Sequence, residues 1–139
     1  MNTIRSRMSP GLLGGGLTLL LALIFLAAAN ASAAGIEPED VTLPAPTPAL
    51  ALGRTNYEAH CAGCHGVNGV GTDKGPPFLH KVYHPGHHAD FAFVRAVRHG
   101  TRAHHWRFGD MPPVEGITDA QIESIIGYVR ALQKANGIF

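Results

Sequence analysis

Residues 61–65 read Cys-Ala-Gly-Cys-His (CAGCH), and they hold both cysteines of a 139-residue chain. What lies on either side limits how this pentapeptide can be read. Upstream, residues 1–33 are not domain-like: Arg5 and Arg7 precede an apolar run ending at Ala29, and small residues follow. A basic start, an apolar middle and small residues before a cut make the layout of a secretory signal, with cleavage after Ala31 or Ala33. The densest apolar stretch, 17–29, falls short of the roughly 20 residues a spanning helix needs. Left uncleaved, residues 12–29 would instead tether the chain to a membrane. In both cases the remainder is exported. Residues 34–52 follow with four prolines, which fix φ and remove donors, so an extended tether is expected there. The folded domain is then 53–139, a length that makes only a marginal core unless something staples it.

Charge says little about the whole domain. Residues 53–139 carry nine Lys or Arg against seven Asp or Glu, and Arg95, Arg98, Arg102 and Arg107 fall in an acid-free stretch. That stretch reads as a basic face suited to steering an acidic partner, or as an ordinary solvated surface. No strongly basic domain and no interleaving of basic and aromatic residues points to nucleic acid.

Three chemistries compete for CAGCH. An exported CxxC pair normally closes a disulfide, but so small a loop adds little stability, so such a bond would be redox-active. That role needs the pair between a strand and a helix, and the flank GRTNYEAH is polar and helix-compatible. A zinc site needs four ligands; there is no second cysteine pair, and His84 and His88 come nearest to a zinc-finger histidine pair. The third reading uses all three side chains. C-x-x-C-H is the attachment sequence of c-type haem: the thiols add to the two vinyl groups and the histidine binds the iron. Haem c, covalent and one per chain, also supplies the missing staple.

A six-coordinate iron needs a second ligand. Met111, in GDMPPVEG, is the only methionine after residue 8, and methionine with histidine is the pairing of electron-transfer haem proteins. The proximal His65 needs an acceptor for its other ring N–H, and the turn KGPPF offers the carbonyl of Pro76. Three helices are expected around the site. The first covers roughly Arg54 to Cys64. The second is DFAFVRAVRHG, capped by Asp90, striped by Phe91, Val94 and Val97 and stopped at Gly100. The third begins at a Thr118–Gln121 capping box and buries Ile122, Ile125, Ile126, Val129 and Leu132 at helical period. No run alternates like a strand, so the fold class is all-α.

These residues resemble the monohaem class I cytochromes c over about 53–133. GRTNYEAHCAGCHG is similar to that family's first helix and attachment site, GPPF to its proximal turn, and AVRHG, GDMPP and ITDAQIESIIGYVRAL to its distal loop and last helix. The resemblance implies a small class I fold wrapped around one haem. It implies Cys61 and Cys64 as thioether ligands, His65 and Met111 as axial ligands and Pro76 as the carbonyl acceptor. It implies that Gly53 and Tyr57 cross the last helix near Ile125 and Tyr128. Trp106 looks like the tryptophan that short bacterial members set against a propionate, or else it packs the core; Arg98 or Arg107 is expected to pair with a propionate.

One feature departs from the family pattern. Residues 80–105 hold seven histidines, and His87, His88, His104 and His105 are candidates for an extra metal site. They read equally as surface or haem-edge residues, and one of them competes with Met111 for the iron. The expected function is an exported, monomeric electron carrier that is not itself an enzyme. It would exchange electrons with redox protein partners and bind no nucleic acid. Two alternatives remain: a small haem peroxidase or haem subunit of a larger oxidoreductase, and a haem protein with an additional histidine-rich metal-binding segment.

Overall fold

The computed structural model describes residues 36–139. The expected signal or anchor, with its cut points, lies outside them. Four α-helices carry the described chain: α1 (Pro48–His60), α2 (Ala62–His65), α3 (Asp90–His99) and α4 (Asp119–Ala135). Among the described residues there is no strand, only one antiparallel bridge between Thr101 and Met111. No helix among them is long and apolar enough to cross a membrane.

The N-terminal stretch differs from the expected tether. Pro48 stands at the first turn of α1, with Thr47 as N-cap accepting from the Leu50 amide. A proline there loses no helical hydrogen bond, which is why a proline-rich run can open a helix. Residues before it pack against the domain: Val41 is buried, the Asn136 side chain bonds both backbone groups of Thr42 at 3.0 and 2.9 Å, and Asn68 donates to the Pro38 carbonyl. The first helix also ends earlier than expected. Cys61 leaves helical geometry at φ −124°, and α2 restarts the helix for one turn.

Helix α4 follows its sequence closely. Thr118 and Gln121 form the reciprocal capping box, and Ile122, Ile125, Ile126, Tyr128, Val129 and Leu132 are buried. It crosses α1 where a side chain on α1 is impossible. A Cβ at Gly53 would lie 2.3 Å from the Ser124 carbonyl oxygen and 2.9 Å from the Tyr128 Cβ. Tyr57, one turn on, is fully buried, donates to the Gly66 carbonyl at 2.7 Å and packs its ring against Tyr128. Gly53→Ala forces backbone apart in this crossing and should destabilise by about 3 kcal/mol, lowering the melting temperature by roughly 15 °C. A thermal melt of the haem-loaded protein checks this, and an unchanged midpoint would contradict it.

Helix α3 corrects two expectations. Its N-cap is Ala89, and no side chain caps it. Asp90, in the first turn, instead accepts from Arg130 Nε at 2.7 Å. The stripe is corrected at Val94, which is exposed; Phe93 and Val97 pack on the core, and Phe91 and Val97 line a large cavity beside it. Arg130 of α4 is the tie between these parts. It donates to the carbonyls of Tyr83 and His88 and to Gln133, and its guanidinium sits 4.9 Å over the Phe93 ring. The planar fork of arginine suits such a multiple role.

Candidate functional site

The two cysteines and His65 reach one surface because α1 breaks at Cys61. The break and the short α2 put the three side chains on the wall of a cavity of about 510 Å³. Helix α4 supplies its floor through Ile122, Ile125 and Ile126. Phe78 and Tyr83 close one side, Phe91 and Val97 of α3 another, and the segment Met111–Val114 the opposite wall. This is the size of pocket that takes a large, mostly apolar group.

His65 is held in place by the chain's own groups. It is 8 % exposed, its Nδ1 donates to the Pro76 carbonyl at 2.8 Å, and its ring stacks on Phe78 at 4.2 Å. The Nδ1–H bond leaves Nε2 with its lone pair, the form that binds a metal. Burial holds the imidazole below its ordinary pKa, opposed by the bond to Pro76, so the ring stays neutral. The turn after it is pinned as well: Gly71 donates its amide to the His65 carbonyl at 2.7 Å, and Thr72 Oγ1 donates to the Cys64 carbonyl at 2.6 Å.

The Cys61 thiol is pushed up to about 11, by burial first and then by Cys64. A redox-active CxxC needs the reverse, a depressed thiol pKa. The one group of three metal-ligating side chains among the described residues, His87, His88 and His105, does not include the cysteines.

Met111 reaches the cavity from a loop that α3 holds at both ends. Its backbone pairs with Thr101 through two bonds of 2.9 Å, and the Val114 amide donates to Val97 at 2.9 Å. Gly100 makes the bridge possible. It adopts φ +72°, and a Cβ there would lie 2.6 Å from the Met111 carbonyl oxygen. Asp110 accepts from the Ala103 amide and closes the loop.

The residues present fit a covalently held haem. Two thiols and a neutral imidazole stand on one wall, a thioether stands on the same cavity, and most of the remaining lining is aliphatic or aromatic, with His60, His88, Arg95, Thr101 and His104 as the polar exceptions. Cys61, Cys64, His65 and Met111 are thus brought together, with Pro76 behind His65. Trp106 is outside the large cavity. It stacks on Tyr83 with ring centroids 5.7 Å apart and lines a smaller adjoining cleft with His65, Pro76 and Met111. Neither Arg98 nor Arg107 lines the cavity. Arg98 is taken up by the Ile117 carbonyl and Asp119 at the start of α4. Arg95 is the arginine on the cavity wall; it lies just under one helical turn before Arg98, and only the orientation of α3 distinguishes the two.

Sequence reasoning also passes over Gln133, which is fully buried. Its Nε2 donates to the carbonyls of Phe78 and Tyr83 at 3.0 and 3.1 Å, holding the proximal loop to α4. A polar residue near a helix end reads as surface; its place one position after Leu132, on the same buried stripe, is the available signal.

Comparison with known proteins gives one match. The family model described as cytochrome c covers residues 50–133. No curated protein and no solved structure matches the chain.

Proposed function

The chain belongs to the cytochrome c family, and from that premise we propose that it is an exported electron carrier whose single haem c is held by Cys61 and Cys64, with His65 and Met111 as axial ligands. When bound, haem supplies reversible one-electron exchange at its iron. The chain's own residues do the rest. His65 offers a neutral Nε2 and is held from turning by Pro76 and Phe78. Ile122, Ile125 and Ile126 keep water from one face. The bridge between Thr101 and Met111 holds the thioether in a fixed loop, so little must move when the charge changes.

The observation that carries this reading is that His65 and Met111 share one apolar cavity with both thiols. With His65 and Met111 both holding the iron, no position would be left for substrate, which is what would separate a carrier from a peroxidase. The apolar run at the N-terminus supports export, and c-type cytochrome domains are typically exported. The same domain also serves as a haem subunit of larger oxidoreductases. Co-purification with a partner that carries the catalytic site would favour that second reading.

Carbon monoxide tests the closed iron. Added to the reduced, matured protein, it should leave the visible spectrum unchanged over minutes. Rapid formation of a CO-bound spectrum would mean an open or labile position and would return the peroxidase reading.

A further inference from the structure

Part of the histidine-rich segment borders the haem cavity, which His88 and His104 line, but three of its rings converge on one another. His87 and His88 lie on the turn that leads into α3, and His105 lies in the loop after it. Their ligand nitrogens all fall within 4.8 Å of one another. We propose that His87, His88 and His105 form a binding site for one divalent transition-metal ion of the zinc and copper class, separate from the haem iron.

The distances suit a metal. His87 Nε2 and His105 Nε2 face each other at 3.3 Å. Two nitrogens at about 2.0–2.1 Å from one tetrahedral ion stand roughly 3.3–3.4 Å apart. His88 Nδ1 donates to the Val82 carbonyl at 2.8 Å. That leaves its Nε2 with a lone pair and fixes the ring, as a backbone carbonyl does for many metal-bound histidines.

The scaffold is firmer than an exposed loop implies. Arg130 donates to the His88 carbonyl, and the Tyr83 ring lies 5.0 Å from that of His88. Trp106 stacks on Tyr83 and carries His105 beside it. The group contains three imidazoles and no carboxylate, a donor set that selects zinc, copper or nickel over magnesium or calcium. His104 is the nearest further ring, 4.3 Å from His105 by centroid. Its Nδ1 donates to the Arg102 carbonyl, but it is not among the three residues whose ligand nitrogens converge, so three protein ligands describe the site.

The test uses the full matured protein, stripped with a chelator and titrated calorimetrically with zinc sulfate and then copper sulfate. One saturable metal per chain, in addition to iron, is expected. The double variant His87→Ala, His105→Ala should weaken binding by about tenfold or more. The control His99→Ala, on α3, should not. Electron paramagnetic resonance of the copper-loaded protein should show coupling to imidazole nitrogens that the double variant loses. An unchanged haem spectrum in that variant would show that folding and the haem site are intact. No saturable binding overturns the proposal. So does equal weakening in all variants, which would mean scattered surface histidines, and so does a haem spectrum that changes with the double variant.

Discussion

Replacing both cysteines, Cys61→Ala with Cys64→Ala, should abolish the folded domain along with its colour. The cavity of about 510 Å³ lies inside a small domain whose described residues are 36–139. At about 24 cal/mol per Å³, leaving such a space unfilled costs roughly 12 kcal/mol. Water entering from the open side lowers that figure, yet it stays comparable to the 5–15 kcal/mol that a whole domain has in hand. The walls that lose their partner are Phe78, Val97, Ile122, Ile125 and Ile126, a large share of the apolar residues between α3 and α4. Far-ultraviolet circular dichroism and haem staining after denaturing electrophoresis read the outcome. Loss of both the stain and the cooperative helical melt is expected. A helical variant that still melts cooperatively would show that the polypeptide packs without the group.

Met111→Ala should act in the opposite way, leaving the fold and changing the chemistry. Met111 is only half-buried, and the bridge to Thr101 is made by its backbone, which alanine retains. What disappears is the thioether. Axial ligands set haem potentials over a range of about 0.8 V, and methionine lies at the raised end. The midpoint should therefore fall by on the order of 0.1–0.3 V, and the reduced variant should bind CO. Spectroelectrochemical titration measures the first and optical spectra the second. An unchanged potential with no CO binding would put another ligand on the iron. His88 and His104 line the same cavity, so they are the histidines to replace next.

Much of the fold and the site is legible in the sequence because the decisive signals are local. CAGCH states its own chemistry. The period of α4 and its capping box lie within one continuous stretch, and the structure contains both. The miss at α1 has a simple cause: proline at the first turn of a helix and proline in a tether look alike in sequence, and only the burial of Val41 and the bonds at Thr42 separate them. Helix α3 is harder. Its apolar residues serve more than one face: Phe91 and Val97 line the cavity, and Phe93 is added to the expected stripe by Arg130 and Tyr83, some ten to forty residues away. The histidines show the same limit. Their number is plain, but the pairing of His87 with His105 comes from the stacking of Tyr83 on Trp106, a contact between two loops that no period encodes. The arginine on the cavity wall escapes for a related reason: Arg95 and Arg98 differ by less than one turn, and Asp119 takes the second.

Iron-edge X-ray absorption of the matured protein, oxidised and reduced, tests the proposal most directly, because it counts the atoms bound to iron without reference to function. One sulfur and five nitrogens in both oxidation states, with the sulfur lost in Met111→Ala, is the result expected of a carrier closed by His65 and Met111. A shell of six nitrogens, or of five atoms in either state, would contradict it.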